Sequence, residues 1–471
     1  MRGLNISSSS AATGLTDPVA AITGVNVSEA SVTSTTGTAV NLNGTGGTVS
    51  LTAVSANGAA NGIVLNTTTG SFAVNGTGAA GTGGTIQNTT GDGISLNNAQ
   101  GVSLSFMTVI NNLGNGIRGN NVTGFTLASS TVDNNANDAA TDEAGLHFTN
   151  LLGTASITTT TVSNHLEDNA RILNSSGTLS QLTITNSTFR DTDTVSPGNN
   201  GLLIQGDSNA NMTVDIANSS FLRNRANGLQ VINNGSGTVD VEIGTAAANS
   251  GGTFQNNNVG VNIAHNGSGT LPFDVLNASF SAPTLVGAAS PINLNKASAG
   301  SGTMSGTVSG NTITNANSLT GPGIRVNGNG VGGTLTTLIQ SNNISQVANR
   351  GIEVIARDGS NTLNATITNN TVTLTDPLFA DGIRVDAGSI SSDTTTICAD
   401  ITGNTSTTPA GFGVRVRQRF TGTTFRLEDY AGGAADDMAV ATFLSTNNNG
   451  ATTSADHAGA GFGTIADCPT P

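Results

Sequence analysis

Gly323-Ile324-Arg325-Val326, Gly351-Ile352-Glu353-Val354, Gly382-Ile383-Arg384-Val385 and Gly413-Val414-Arg415-Val416 are four copies of one short text, a glycine followed by an apolar alternation. The same text runs back through Gly260-Val261-Asn262-Ile263, Gly228-Leu229-Gln230-Val231, Gly201-Leu202-Leu203-Ile204 and Gly145-Leu146-His147-Phe148. It continues to Gly116-Ile117, Gly93-Ile94-Ser95-Leu96 and Gly62-Ile63-Val64-Leu65, while Arg171-Ile172-Leu173 and Pro291-Ile292-Asn293-Leu294 fill the gaps. Successive starts lie 23 to 32 residues apart. A period of about 30 residues that tolerates small insertions belongs to a coil with variable loops.

A second text sits between these starts. Leu182-Thr183-Ile184-Thr185-Asn186-Ser187-Thr188-Phe189 is echoed by Val214-Asp215-Ile216-Ala217-Asn218-Ser219-Ser220-Phe221. It returns as Phe273-Asp274-Val275-Leu276-Asn277-Ala278-Ser279-Phe280 and Ala365-Thr366-Ile367-Thr368-Asn369-Asn370-Thr371-Val372. Each copy is an apolar alternation, an asparagine corner and another short strand. Period-two alternation turns one side of each strand inward. Asparagine tolerates the left-handed backbone of a sharp corner. Asparagines repeated in register can pass amide hydrogen bonds from coil to coil.

Three short strands and three turns in about 30 residues make one turn of a parallel β-helix, whose narrow core needs few bulky side chains. The pattern resembles the right-handed parallel β-helix repeat of the pectin-lyase-like superfamily, in the form seen in large bacterial secreted and surface proteins. The resemblance covers roughly residues 30 to 420. It implies an all-β chain, a single right-handed parallel β-helix solenoid of about 13 coils with a small C-terminal cap. At about 4.8 Å per coil the rod would span roughly 60 Å.

The ends depart from the repeat. Residues 1–35 are expected to add an N-terminal strand or cap, 36–416 to form the β-helix, and 417–471 to cover its C-terminal end. Within that cover, Ala434 to Leu444 is the one helix candidate. Asp436 and Asp437 lie in its first turn, and Met438, Val440, Ala441 and Leu444 offer an apolar face. The two cysteines, Cys398 and Cys468, have no metal-site spacing around them and are expected to form a disulfide that ties the cap back.

Composition limits the function. Of 471 residues 62 are glycine, 9% are charged, 3% are aromatic and none is tryptophan. Glycine has no three-residue period, which excludes collagen. No run of 18 apolar residues offers a membrane-spanning helix. The net charge of −14 and the single lysine, Lys296, argue against nucleic acid. Met1-Arg2-Gly3-Leu4 lacks the charged-then-apolar opening of a signal peptide, so a mature domain or a piece of a longer secreted protein is expected.

The superfamily carries lyases, hydrolases, epimerases, tailspikes and non-catalytic adhesin stalks alike, so the fold alone does not assign a reaction. The paired aspartates, Gly-His-Gly and Arg-Ile-Lys of polygalacturonase-like members are absent, and His147, His165, His265 and His457 lack those partners. Pectate-lyase-like members need an acidic calcium cluster and a basic residue that takes a proton. The nearest match is a polar stretch from Asp133 to Arg225.

Val132, Val162, Phe189 and Phe221 occupy equivalent strand positions there. Asp133, His165, Asp191 and Arg223 therefore follow on neighbouring coils and are the catalytic candidates. Asp138, Asp142 and Glu143 are the candidate metal ligands, with Ca²⁺ the ion they would suit. No other cofactor is expected. The basic group from Arg417 to Arg426 is expected to be salt-bridged inside the cap.

Asn-Xaa-Ser/Thr triplets and glycine-rich stretches are what chance supplies in such a composition. Runs such as Thr158-Thr159-Thr160-Thr161 are similar to the threonine ladders of ice-binding solenoids, but no Thr-Xaa-Thr is expected to recur at a fixed phase.

The expectation is a secreted or cell-surface stalk or adhesion module, structural or glycan-binding, whose partner is a carbohydrate or a host-surface ligand. The alternative is a polysaccharide lyase or glycoside hydrolase acting on an acidic glycan. A tailspike would need trimer-forming segments that the chain does not display.

Overall fold

The inward positions of the repeat stack like upon like. Ile117 registers with Ile94 on one neighbouring coil and Leu146 on the other, and Val132 with Val109 and Val162. All six side chains are buried. A computed structural model of the chain is 56% strand and 3% helix, a right-handed parallel β-solenoid of about 13 turns with one short C-terminal helix. It describes residues 2–17, 24–137, 143–192, 199–282, 289–297, 299–314, 321–347, 349–375 and 381–471. Two compact units emerge, Met1–Asp215 with Ser219–Ala226, and Ile216–Asn218 with Asn227–Pro471.

In the first unit, Ile117–Ala128 runs through two strand positions and Thr131–Asp133 supplies the third. The next coil repeats this as Ala144–Thr158 and Thr161–Ser163, in parallel register. In the second unit a coil reads Ile324–Asn329, Thr334–Gln340 and Asn343–Val347. Each buried Val, Ile or Leu contributes about 1.5–3 kcal/mol. Aromatic residues stack at the same register, Phe189 on Phe221 with centroids 5.2 Å apart and Phe254 on Phe280 at 4.9 Å.

The corners are left-handed, as the asparagines suggest. Asn186, Asn277 and Asn369 have φ near 50–57°, and Gly310 and Gly403 take the same corner in other coils. The residue after each corner turns inward and forms a ladder. In the second unit the Asn311 amide donates to Asn342 Oδ1 at 3.0 Å, Asn342 to Asn370 at 2.9 Å, and Asn370 to Asn404 at 2.9 Å. The second amide hydrogen of each reaches a strand carbonyl, as in Asn342 Nδ2 to Val308 O at 2.9 Å. Hydroxyls do the same work in the first unit, where the Thr160 N–H donates to Ser187 Oγ and the Ser187 N–H to Ser219 Oγ, both at 3.2 Å.

Another inward column, Asn233, His265 and Lys296, ties the turn that follows its own strand. Asn233 Nδ2 donates to Gly237 O at 3.0 Å, His265 Nε2 lies 3.1 Å from Gly269 O, and Lys296 Nζ donates to Gly300 O at 2.5 Å. Burial pushes the Lys296 ammonium below its usual pKa.

Parallel pairing continues past Val416. Val414–Gln418 pairs with Thr453–His457, and Thr424–Glu428 with Phe462–Ile465. Between them stands the helix Asp437–Asn447, whose first turn is capped by Asp436 Oδ1 accepting from the Ala439 N–H at 3.0 Å. Val440 and Leu444 are its buried face, whereas Met438 points outward at 80% exposure because it lies on the opposite side of the turn. Asn448 follows the helix and ends the amide ladder, accepting from Asn404 at 2.8 Å and donating to Ile401 O at 2.8 Å. Cys398 and Cys468 form the expected disulfide.

Thr-Xaa-Thr does recur at one phase, contrary to expectation. Thr312-Ile313-Thr314, Thr371-Val372-Thr373 and Thr405-Ser406-Thr407 all lie on third strands, with Asn343-Ile344-Ser345 between the first two. Variable loop lengths hide from the sequence a phase that strand pairing restores.

Candidate functional site

The strand equivalence behind the candidate residues holds in the first unit: Val132 pairs with Val162, Val162 with Phe189, and Phe189 with Phe221. Counting on from these positions separates the four candidates. Asp133 is one residue on, still in its strand. Asp191 and Arg223 are two residues on, at left-handed corners with φ of 59° and 54°. His165 is three residues on and turns inward.

Each has partners within the scaffold. Asp133 Oδ1 accepts from Ser163 Oγ at 2.6 Å and from Asn164 Nδ2 at 2.7 Å. Arg223 grips Asp191 through Nε at 2.5 Å and Nη2 at 2.9 Å, and Arg190 adds a third contact at 2.6 Å. Burial pushes the Asp191 carboxyl up, but the two guanidiniums outweigh it and hold it below the usual range.

His165 continues an amide ladder. Asn112 Nδ2 donates to Asn135 Oδ1 at 2.7 Å, and the Asn135 N–H lies 3.1 Å from His165 Nδ1. The ring is fully buried, and burial lowers its pKa to about 4. A side chain on Gly145 would collide with that ring, so the glycine opening this coil's first strand makes room for it.

Above these residues is an open depression of about 230 Å³ lined by Asn134, Asn137, Asn164, His165, Leu166 and Asp191. Of the metal candidates, Asp138 and Asp142 lie outside the described residues, and the Glu143 N–H donates to Glu167 Oε2 at 3.2 Å. Among the described residues, no three His, Cys, Asp or Glu side chains converge as metal ligands.

The densest charge chemistry is on the outward face of the first strands, which the sequence reading did not single out. In the second unit, Asn293, Arg325, Glu353, Arg384 and Arg415 form one column across adjacent coils. Asn295, Asn327, Ile355, Asp386, Arg417 and Asp456 form the next. Arg350 pairs with Glu353 at 2.7 Å, Arg384 with Asp386 at 2.9 Å, Arg417 with Asp386 at 2.5 Å, and Arg415 with Asp456 at 2.7 Å.

Asp386 is fully enclosed, and burial raises its carboxyl to about 6 against the pull of Arg384 and Arg419. Of the basic group near the cap, Arg417 is thus salt-bridged, while the Arg419 guanidinium lies over the Phe420 ring, 5.8 Å from its centroid. The first unit has a parallel arrangement. Arg171 pairs with Asp168 at 3.1 Å, and Asp168 Oδ1 accepts from the Asn200 N–H at 2.7 Å. Burial raises Asp168 to about 6 as well.

These charged positions were visible as the third residue of each Gly-Ile-Xaa-Val text. Only strand register shows that Arg325, Glu353, Arg384 and Arg415 are direct neighbours. Chemically, the array cross-links successive coils through guanidinium–carboxylate pairs.

Compared with known proteins, the chain matches no family, no curated protein and no solved structure.

Proposed function

We propose that this chain is a rigid stalk or adhesion module of a secreted or cell-surface protein, structural in its coils and glycan-binding at its outward faces. The observation that carries this reading is how the acid, base and cation expected to do chemistry are engaged. His165 is enclosed in an amide ladder, and Asp191 is gripped by Arg223 and Arg190. A general base must reach a substrate proton. His165 borders the depression, but its ring has no exposed surface, Nδ1 is held by the Asn135 N–H and Nε2 is turned toward Gly145. Asp168 and Asp386, with carboxyls raised into a useful range, are as enclosed as His165. Kinship with the pectin-lyase-like superfamily is supported by the three-strand coils and their right-handed course. An extracellular setting is supported by the disulfide, which persists in oxidising compartments.

The test is a glycan-array screen with and without EDTA, followed by mass spectrometry of any bound glycan. Intact bound glycan, unaffected by EDTA, is the expected result. Unsaturated or shortened fragments would instead identify a lyase or hydrolase and sink the stalk reading.

A further inference from the structure

Arg118 differs from the arginines on the first strands of other coils, although Arg426 on Thr424–Glu428 is likewise exposed and without an ion pair among the described residues. It lies on the outward face of Ile117–Ala128, in register with Ser95 on one coil and His147 on the next. Among the described residues it has no ion pair or side-chain hydrogen bond, and it is exposed. Arg171, Arg384, Arg415 and Arg417 on the same kind of strand all hold a carboxylate. In a chain with net charge −14, an unpaired guanidinium on a rigid strand is a cation left for something else.

Its surroundings say what that is. Arg118 stands in an open dish of about 440 Å³ whose polar lining is Asp92, Ser95, Asn97, Asn120 and Thr149. Asn97 Nδ2 donates to Asn66 Oδ1 at 2.8 Å and Asn120 Nδ2 to Asn97 Oδ1 at 3.1 Å, an outer amide ladder that ends at Asn120. The register partner of Asn120 on the next coil is Thr149, so no further amide takes up Asn120 Oδ1. The dish thus offers a fork of guanidinium donors, a free amide carbonyl and two hydroxyls. Asp92 on the rim, with Oδ1 accepting from Asn115 at 2.8 Å, disfavours a dianion such as phosphate. No aromatic ring lines the dish for a base or an indole to stack on.

We propose that this dish binds a carboxylate-bearing sugar, with Arg118 taking the carboxylate in a bidentate grip and Asn120, Ser95 and Thr149 taking ring hydroxyls. Guanidinium geometry matches a carboxylate edge to edge, and a strand-borne site loses little entropy on binding. The proposal rests on the glycan-binding part of the function above and names where and what the module binds.

The test is saturation-transfer NMR with glucuronate and with its uncharged methyl ester, on the full chain. Glucuronate is expected to give a saturable signal that the ester lacks and that weakens with added salt. Arg118→Gln is expected to weaken binding about tenfold or more, Arg118→Lys to restore it in part, and Arg419→Gln to leave it unchanged. Because Arg118 is exposed and unpaired, its variants fold as the parent does. Equal signals from acid and ester, wild-type binding by Arg118→Gln, or no signal from glucuronate would each overturn the proposal. Those results leave the stalk reading standing, whereas cleavage of a glycan sinks that reading without touching Arg118.

Discussion

His165 occupies a place where the preceding coils have Asn112 and Asn135, and that exchange has a measurable cost. Its pKa is about 4 in the folded chain against 6.5 for a free histidine. The unfolded chain therefore takes up a proton at a pH where the folded chain does not. Stability from this site is complete above pH 6.5 and is lost as pH falls toward 4, by up to about 3 kcal/mol. Replacing the ring with the residue its ladder already uses, His165→Asn, is expected to remove that loss. Denaturant unfolding of both proteins at pH 7 and pH 4.5 checks it, and an unchanged difference between them would refute the ladder role.

Asp168 has the opposite sign. Its folded pKa of about 6 exceeds the free value of 3.8, so its contribution is greatest below pH 3.8 and is lost as pH rises through 6. Against Asp168→Asn, the wild type is expected to lose relative stability between pH 4 and pH 6. A flat difference across that window would mean the carboxyl stays ionised beside Arg171.

At the scale of elements, the cap is held by two independent devices. One is the amide ladder that ends at Asn448, immediately after the helix, and the other is the Cys398–Cys468 bond across 70 residues of sequence. The helix is also joined to the strand Thr453–His457 by His457 Nδ1, 2.7 Å from Asp437 Oδ1. A cross-link of that span contributes about 4 kcal/mol in the chain-entropy view. Reduction is therefore expected to lower the unfolding midpoint and to speed amide exchange in Thr453–His457 and Phe462–Ile465. Exchange in Ile383–Ala387 is expected to stay slow, because the ladder and strand pairing hold that coil without the disulfide. Loss of protection in all three strands together would show that the cap and the last coils unfold as one.

At the scale of the molecule, stability is close to a sum over neighbouring coils, since each coil pairs chiefly with the one before and the one after. Ile367 is fully buried and stacks between Ile339 and Ile401. Ile367→Ala is expected to cost about 2–5 kcal/mol. Hydrogen exchange is expected to place the loss in the strands flanking Thr362–Thr368, with Ile117–Ala128 keeping its protection. Uniform loss over both strand sets would contradict a nearest-neighbour solenoid.

The Gly-Ile-Xaa-Val texts, the asparagine corners and the cysteine pair were enough to specify a parallel coil with an amide-laddered corner and a stapled end, whereas its right-handed course was implied only by the resemblance and is seen in the structure. Those features depend on contacts one repeat away, and a repeat of about 30 residues is legible along the chain. The chemistry was not legible in the same way. Asp133, His165, Asp191 and Arg223 fall at nearly the same point of successive repeats, yet one residue of offset puts His165 inside and Arg223 at 49% side-chain exposure. Likewise Arg325, Glu353, Arg384 and Arg415 look unrelated until pairing makes them a column, and Arg118 looks ordinary until its lack of a carboxylate becomes visible. Period and corner residues determine the coil. Which side chain faces inward, which is paired and which is left free is decided only when register brings the coils together, because a one-residue shift in a strand reverses the face.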